Sequence, residues 1–316
     1  MKTAGIRYVS GRLAMAAALL GGLSLAVYVG VDLLPGDPAS ARLGPGVTPE
    51  QAAQARERLG LEEPLGQRYL DWAGGLLRGD LGTSANGTPV SDLLTDRLGN
   101  TAVIAGLTVL LLVPASLALG VALGRRAGTR LDGAGSAALL LTVAVPEFVV
   151  ASVLALTVAG QLGWLPAASL VPAGEHPLAH PEVLILPVLS LFLVSLAYAS
   201  RVIRAQTATA LRAPHVEFMR LNGLPERAIL RQAVLPAILP SAVQIWLISA
   251  AGLIGGTVLV EMVYSYPGIG KLLVTSVDSG DLPVVQALAM IMGALTLLAT
   301  VAADLIADST GRTRSA

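Results

Sequence analysis

Long runs without charge constrain this chain more than any other feature of its sequence. A helix that rises ~1.5 Å per residue needs roughly 20 apolar residues to cross a bilayer. The runs cover residues 13–31, 101–124, 133–200, 233–260 and 282–303, and the third holds a few acids and is divided by proline-rich patches. They do not alternate as barrel strands do, and helices satisfy their own backbone hydrogen bonds in lipid. We predict six membrane-spanning helices, near residues 10–33, 101–124, 135–160, 183–201, 237–260 and 284–306.

Composition excludes several other classes of protein. Of the 316 residues, 54% are hydrophobic and 13% are charged, which is far from the balance of a soluble domain. The absence of cysteine excludes a disulfide scaffold, a thiolate metal site and a cysteine nucleophile. The 21 basic and 21 acidic residues cancel, so no net charge favours nucleic acid as a partner.

The basic residues predict how the spans are oriented. They cluster before span one, between spans two and three, between spans four and five, and after span six. By the positive-inside rule, we predict a multi-pass protein of the cytoplasmic membrane with both termini in the cytoplasm and residues 35–99 outside. The N-terminus also resembles a signal peptide, but its apolar run is longer than usual, so we predict an uncleaved first span.

The external segment is predicted to form a small helical cap. A turn cluster over 34–38 ends the first span. A polar helix is predicted from Thr48 to about Leu59, with its proline at the first helical position. A second helix is predicted over 65–77, with Tyr69 and Trp72 near one face, and a third over 90–98.

Few polar side chains fall inside the predicted spans. Glu147 follows Pro146 in span three, where a charge costs roughly 3 kcal/mol, so it either faces a water-filled pathway or bonds to a neighbouring helix. Glu261 lies near a span end, where a structural role is the alternative. We predict both as candidate pathway or gate residues. Residues 268–271 imitate a phosphate loop, but the spacing fails, and we predict no catalytic, cofactor or metal site on this chain.

The long basic loop, residues 202–236, predicts two short helices joined by a sharp elbow outside the membrane. Asn222 and Gly223 favour a helix end, and Pro225 with Glu226 suits the first turn of the next helix. The apolar side chains of this loop are too many for free solvation. They could lie on the lipid surface or bind a groove in a partner, and we favour the partner.

This loop resembles the "EAA" loop in the membrane subunits of type I ABC importers. Glu217 lies six residues before Gly223, and Leu235-Pro236 follows that glycine by twelve and thirteen residues. Other motifs resemble the branch that serves dipeptides, oligopeptides and nickel, and in particular its first permease. They are Leu34-Pro35-Gly36-Asp37-Pro38, Leu77-Arg78-Gly79-Asp80-Leu81-Gly82, Tyr266-Pro267-Gly268-Ile269-Gly270 and Asp281-Leu282-Pro283.

The resemblance implies an all-α, polytopic fold with six transmembrane helices, the transmembrane domain of a type I importer. Residues 1–98 would form the first span and the cap, 99–307 the core domain with its coupling loop 202–236, and 308–316 a cytoplasmic tail. The chain, surrounded by membrane lipid, would not itself be an enzyme. It would pair with a second, unlike permease, two cytoplasmic ATPases that bind ATP and magnesium, and an external solute-binding protein. The residues implied to contact an ATPase are Glu217, Phe218, Leu221, Gly223 and Leu224.

The sequence leaves alternatives open for both the solute and the energy source. We expect import of dipeptides or oligopeptides, with nickel, another chelated metal or a glutathione-like solute as alternatives. A proton-coupled secondary transporter that uses Glu147 predicts uptake that collapses with the proton gradient and persists without ATPases. A membrane anchor or receptor without transport is the third class.

Overall fold

The structure, a computed structural model, describes residues 2–33, 48, 50, 53, 63–172 and 174–312. Within these ranges the chain is mainly helical, and the only β-type pairing is an isolated bridge between Thr83 and Pro89. The predicted all-α class is therefore confirmed. The helices are α1 (Lys2–Asp32), α2 (Leu65–Leu77), α3 (Val90–Gly124), α4 (Arg130–Val143), α5 (Glu147–Leu154), α6 (Pro181–Leu211), α7 (Pro214–Leu221), α8 (Glu226–Ile229), α9 (Leu235–Val263), α10 (Ile269–Asp278) and α11 (Leu282–Arg312). Two wider π-helical segments, Ala155–Gln161 and Leu230–Val234, extend α5 and join α8 to α9.

Apolar helices lie at all six positions predicted to span the membrane. Four are long and apolar enough to cross it, namely α3, α6, the continuous segment Glu226–Val263, and α11 over Leu282–Ile306. The pair α4 and α5 qualifies as a fifth span when taken together. The apolar part of α1 is shorter and covers Ala14–Gly30. These helices define a multi-pass membrane protein.

The third predicted span is broken more sharply than the sequence suggests. We expect Pro146 to kink one helix over 135–160, whereas α4 ends at Val143, α5 begins at Glu147, and the two are bent by 95°. Proline has no N–H to donate and disfavours helical backbone in the residue before it. The disruption predicted at Pro146 is thus confirmed, but it is a break between two helices and not a kink within one.

Several other helices begin or end at residues different from those predicted from the sequence. The separate helix predicted over 90–98 is continuous with span two, because α3 runs unbroken from Val90 to Gly124. The last helix continues past the predicted end of span six to Arg312. Helix α2 matches its predicted range, and α10 was not predicted. The predicted turn at 34–38 and most of the polar helix 48–59 lie outside the described residues.

The chain divides into two compact units, and the first comprises Met1–Ala102 and Pro267–Leu297. Its core is an apolar cluster on α3, α10 and α11 that includes Val90, Leu94 and Leu288. Within this unit, Asp281 accepts hydrogen bonds from the Ser84 hydroxyl and from the backbone N–H of Ala85, the latter at 3.1 Å. The loop after α2 is therefore fixed to the start of α11.

Helix α2 is held against α1 by aromatic side chains in the same unit. The Tyr28 ring lies 5.6 Å from that of Tyr69 and 5.2 Å from that of Trp72, measured between ring centroids. The hydroxyls of Ser24 and Tyr69 are 2.8 Å apart. The prediction that Tyr69 and Trp72 share one face of α2 is confirmed.

The second unit comprises Val103–Tyr266 and Leu298–Ala316 and contains two apolar clusters. One surrounds Ile104, Leu191 and Tyr264, whose hydroxyl donates to the Ala151 carbonyl at 2.8 Å. The other, which we call the lower cluster, consists of Leu112, Ala199, Ile203, Val216, Ile229, Val234, Ile238, Ala242 and Ile245. The lower cluster joins α3, α6 and α9 to the residues that connect α6 with α9. The domain boundaries at 98 and 307 stay a prediction.

Candidate functional site

The segment from 212 to 229, which we call the hook, contains α7, a sharp turn and α8. The turn is a Schellman motif, in which Gly223 N–H donates to the Arg220 carbonyl at 2.9 Å and Leu224 N–H donates to the Met219 carbonyl at 3.1 Å. Gly223 has φ of +77°, where a side chain is strained. The helix end predicted at Asn222-Gly223 is confirmed, as is the restart of the helix at Glu226.

The inner face of the hook packs on the helical bundle. Val216 and Ile229 are fully buried and belong to the lower cluster. Met219 and Leu224 pack against the same cluster and are partly buried. Leu224, which we predict to contact an ATPase, therefore lies on the inner side of the hook. This packing seats the hook on the bundle and does not leave it as a free loop.

The outer face of α7 carries an exposed apolar pair. Phe218 is 67% exposed and Leu221 is 78% exposed. The two are three residues apart, which places them on the same side of a helix. Exposed apolar side chains grouped on a rigid element mark interaction sites. Of the predicted contact residues, Phe218 and Leu221 are thus exposed on the outer face of the hook, whereas Leu224 packs on its inner face.

Arg220 ties together the three segments that meet at the hook. Its Nε donates to Glu226 Oε1 at 3.0 Å, and its Nη1 donates to the Leu211 carbonyl at 3.4 Å at the end of α6. Glu217 Oε2 lies 3.7 Å from Nη1. This ion pair with Arg220 is the only polar contact of the Glu217 side chain within the described ranges. Sequence reasoning missed Arg220, since its partners follow from the fold.

A buried ion pair, which we call the brace, lies close to the hook. Arg204 on α6 donates from Nε to Asp132 Oδ1 at 2.8 Å, and its Nη2 bonds to the other oxygen. The Gly128 N–H donates to Asp132 Oδ2 at 3.0 Å. The Asp132 side chain is only 3% exposed, against 30% for Arg204. The brace fixes the start of α4 to the end of α6 that leads into the hook.

Removing Arg204 is expected to cost on the order of 3 kcal/mol, because the Asp132 carboxylate is then left buried without its counter-ion. Removing Asp132 should cost less, because Arg204 is partly exposed and water can solvate its charge. Asp132→Ala and Arg204→Ala should each lower the unfolding temperature of the purified chain in detergent, measured by loss of its size-exclusion peak after heating. The double variant should lose less than the sum of the two. Arg212→Ala, at an exposed arginine that ends α6, serves as the control and should change little. Strictly additive losses would contradict the pairing.

The two predicted pathway acids occupy different surroundings. Glu147 is the first residue of α5, directly after the break, where a helix N-terminus favours a carboxylate. It is half-buried, and a Cβ on Gly256 of α9 would lie 3.8 Å from its Oε1. Among the described residues it has no hydrogen-bond or ion-pair partner. Glu261 is fully buried near the C-terminal end of α9, so its side chain does not face solvent in this conformation.

Two histidines of the predicted external loop form hydrogen bonds with neighbouring groups. His180 Nε2 lies 2.6 Å from Glu175 Oε2, and Nδ1 lies 3.5 Å from Glu182 Oε1. The hydrogen bond to Glu175 raises the pKa of His180 above its ordinary value. His176 Nδ1 accepts from the Leu178 N–H. In the part of the chain that the structure describes, no three His, Cys, Asp or Glu side chains come together as metal ligands.

The helices and their apolar composition together define a polytopic membrane protein. Two family models match the sequence. "Binding-protein-dependent transport system inner membrane component" matches residues 116–313, and its N-terminal companion, "Binding-prot-dependent transport system membrane comp, N-term", matches residues 5–105. The chain belongs to this family of inner membrane permease components, which function with other components of a transport system. The membership that the sequence motifs predict is confirmed.

Curated relatives align with nearly the whole chain. "Probable peptide ABC transporter permease protein y4tP" of Sinorhizobium fredii is 32% identical, covering 94% of this chain and 96% of its own length. "Oligopeptide transport system permease protein AppB" of Bacillus subtilis is 29% identical, with 95% and 96% covered. The similarity therefore includes both the segment predicted to be external and the hook.

Proposed function

We propose that this chain is one of two permease subunits of an ATP-driven importer that carries peptides across the cytoplasmic membrane. The family match supports a transport subunit that acts with a binding protein. The names of the two relatives support peptides as the solute. The chain supplies half of the pathway and does no chemistry of its own. ATP and magnesium act on two cytoplasmic ATPases, and an external binding protein delivers the peptide.

The observation that carries the proposal is the apolar pair on the hook. Phe218 and Leu221 project from a helix whose other side is buried in the lower cluster. An apolar pair on a helix suits a hydrophobic groove in a partner protein. The hook lies at the end of α6 with the basic residues, so the positive-inside rule places it in the cytoplasm, together with both termini. The partner is therefore a cytoplasmic ATPase.

The contacts of the hook explain how a partner could move the spans. Arg220 connects the hook to the Leu211 carbonyl at the end of α6, and the brace connects α6 to α4. A displacement of the hook is thereby transmitted to two membrane helices, since packed interfaces shift as units and do not deform continuously. ATP-driven closure of the ATPases would rock these helices between inward-open and outward-open states.

Cross-linking tests the docking directly, because the chain has no cysteine of its own. Leu221→Cys should cross-link to an ATPase subunit in native membranes and resist a membrane-impermeant thiol reagent added from outside. The control is Trp164→Cys, since Trp164 is 73% exposed and lies in the predicted external loop. This variant should be labelled from outside and should not cross-link to the ATPase. External labelling of Leu221→Cys would overturn the orientation and the docking together.

Reconstituted transport tests the solute and the energy source. Proteoliposomes that contain both permeases and the ATPases should accumulate a labelled oligopeptide only with ATP and the binding protein present. Collapse of the proton gradient should leave this uptake unchanged. Uptake of nickel without peptide, or peptide uptake by the purified chain alone, would contradict the proposal.

Glu147→Gln is expected to lower peptide uptake several-fold, because an unpaired acid beside a break in a span is costly and is kept where it contacts solute or water. ATP hydrolysis stimulated by the binding protein, and cross-linking through Leu221→Cys, should remain. Uptake measured across pH provides the test. Glu182→Gln makes the same change in the first turn of α6, outside the apolar region, and serves as the control. Unchanged uptake with Glu147→Gln at every pH would remove this acid from the pathway.

A further inference from the structure

A groove of about 570 Å³ lies between α4 and α6 in the second unit. Ala137 and Leu140 form part of the α4 wall, and Tyr198, Arg201 and Ala205 form part of the α6 wall. The groove is open along its length and mainly apolar. Both helices belong to candidate membrane spans, so the groove faces lipid or another membrane protein.

Arg201 is an unusual residue for such a groove. It is exposed on a membrane-spanning helix and makes no ion pair or hydrogen bond to any described residue. Arg204, which also lines the groove, is already neutralised by Asp132 in the brace. The groove therefore carries one uncompensated positive charge. Arg201 lies at the end of its predicted span, next to the cytoplasmic loop, where an exposed cation can pair with an anionic headgroup from outside the chain.

The residues that line the groove change from basic to apolar along its length, which matches the headgroup and acyl chains of a phospholipid. Arg204 lies nearest the hook, and Arg201 and then Tyr198 follow at steps of three residues, about 4.5 Å each along a helix. On the opposite wall the neighbouring Leu140 and Leu141 are 53% and 71% exposed, with apolar side chains at the surface. One end of the groove is thus basic and the other is apolar.

We propose that this groove binds one anionic phospholipid of the cytoplasmic leaflet. Arg201 donates hydrogen bonds to the headgroup phosphate, and an acyl chain lies along Ala137 and Leu140. A guanidinium matches a phosphate in shape and charge, and basic pockets between spans on the cytoplasmic side bind anionic headgroups. A zwitterionic lipid brings an ammonium group that Arg201 repels, so the site selects for net negative charge. The lipid would support α4 and α6 beside the brace.

Native mass spectrometry of the full chain tests the proposal through the lipid that remains bound after mild delipidation. The probes are phosphatidylglycerol, phosphatidylethanolamine and inorganic phosphate, each added at equal concentration. Phosphatidylglycerol should be retained preferentially. Arg201→Gln should reduce its retention about tenfold, the effect of losing one charge-assisted hydrogen bond. Arg212→Gln removes an exposed cation directly after the same helix, outside the groove, and should leave retention unchanged.

A second variant keeps the test decisive if Arg201→Gln fails to fold. Ala205→Trp fills the groove from an exposed position, keeps Arg201, and should also expel phosphatidylglycerol. Equal retention of phosphatidylethanolamine, displacement by inorganic phosphate, or retention that neither variant reduces would overturn the proposal. Cross-linking of Ala137→Cys to a second permease in native membranes would also overturn it, because the groove would then be a protein interface. None of these readouts depends on peptide transport.

Discussion

Replacing Gly223 by tryptophan is expected to abolish binding of an ATPase while the chain still folds and inserts in the membrane. Apart from the two neighbouring residues, no described atom lies within 4 Å of a Cβ at this position, so a side chain there starts in open space. The intrinsic cost is the positive φ, about 1–2 kcal/mol for a residue with a side chain. Any loss of ATPase binding must then come from a steric clash between the tryptophan and the ATPase surface. Co-purification of the ATPase with the tagged chain measures the effect.

Two substitutions separate backbone strain from obstruction of the partner. Gly223→Asn tolerates a positive φ and is small, so most of the co-purified ATPase should be retained. Gly163→Trp introduces the same side chain at another glycine with positive φ and open space, in the predicted external loop, and should not affect ATPase binding. If Gly223→Trp binds and stimulates the ATPase normally, the hook is not the docking element.

The hook could be predicted from sequence because its determinants are local. Gly223 ends a helix since the left-handed backbone it adopts strains other residues, and Pro225 favours the start of the next helix. The six apolar positions were predictable for the same reason, since the length and composition of an apolar run are local properties of the sequence. Phe218 and Leu221 are among the loop side chains that are too apolar for free solvation. In the structure both are exposed on the outer face of α7.

The brace could not be predicted, because its partners are 72 residues apart in sequence and neither is distinctive alone. The sequence alone suggests that Asp132 is a solvated acid in the first turn of α4. In the structure α6 covers its side chain. The continuity of α3 was missed since Asp92, Asp96 and Arg97 imitate a loop boundary, although a helix tolerates charges on an exposed side. Pro146 predicts a break, but the 95° bend depends on what α4 and α5 pack against.

Substituting Gly124 by leucine is expected to have the largest effect on folding. Gly120 and Gly124 lie four residues apart on α3, a spacing that lets membrane helices approach closely. A Cβ on Gly124 would lie 2.5 Å from Thr207 Cβ and 2.8 Å from the Arg204 carbonyl, and one on Gly120 would lie 2.9 Å from the Ser200 carbonyl. These carbonyls are backbone atoms, so α6 must move away as a whole. Overpacking costs roughly 1–3 kcal/mol by itself.

The displacement of α6 should also weaken the brace, because Arg204 moves with its backbone. The cost of overpacking and the weaker ion pair then both destabilise the same helix interface. Gly124→Leu should therefore give little monodisperse chain in detergent, with a lower unfolding temperature where any is recovered. Gly106→Leu is the matched control, because Gly106 lies on the same helix with no atom within 4 Å of its Cβ position. That variant should match the parent or exceed it, since leucine favours a helix over glycine. Equal behaviour of the two leucine variants would mean that α3 and α6 are not in close contact, and the seat of the hook in the lower cluster would then lose its support.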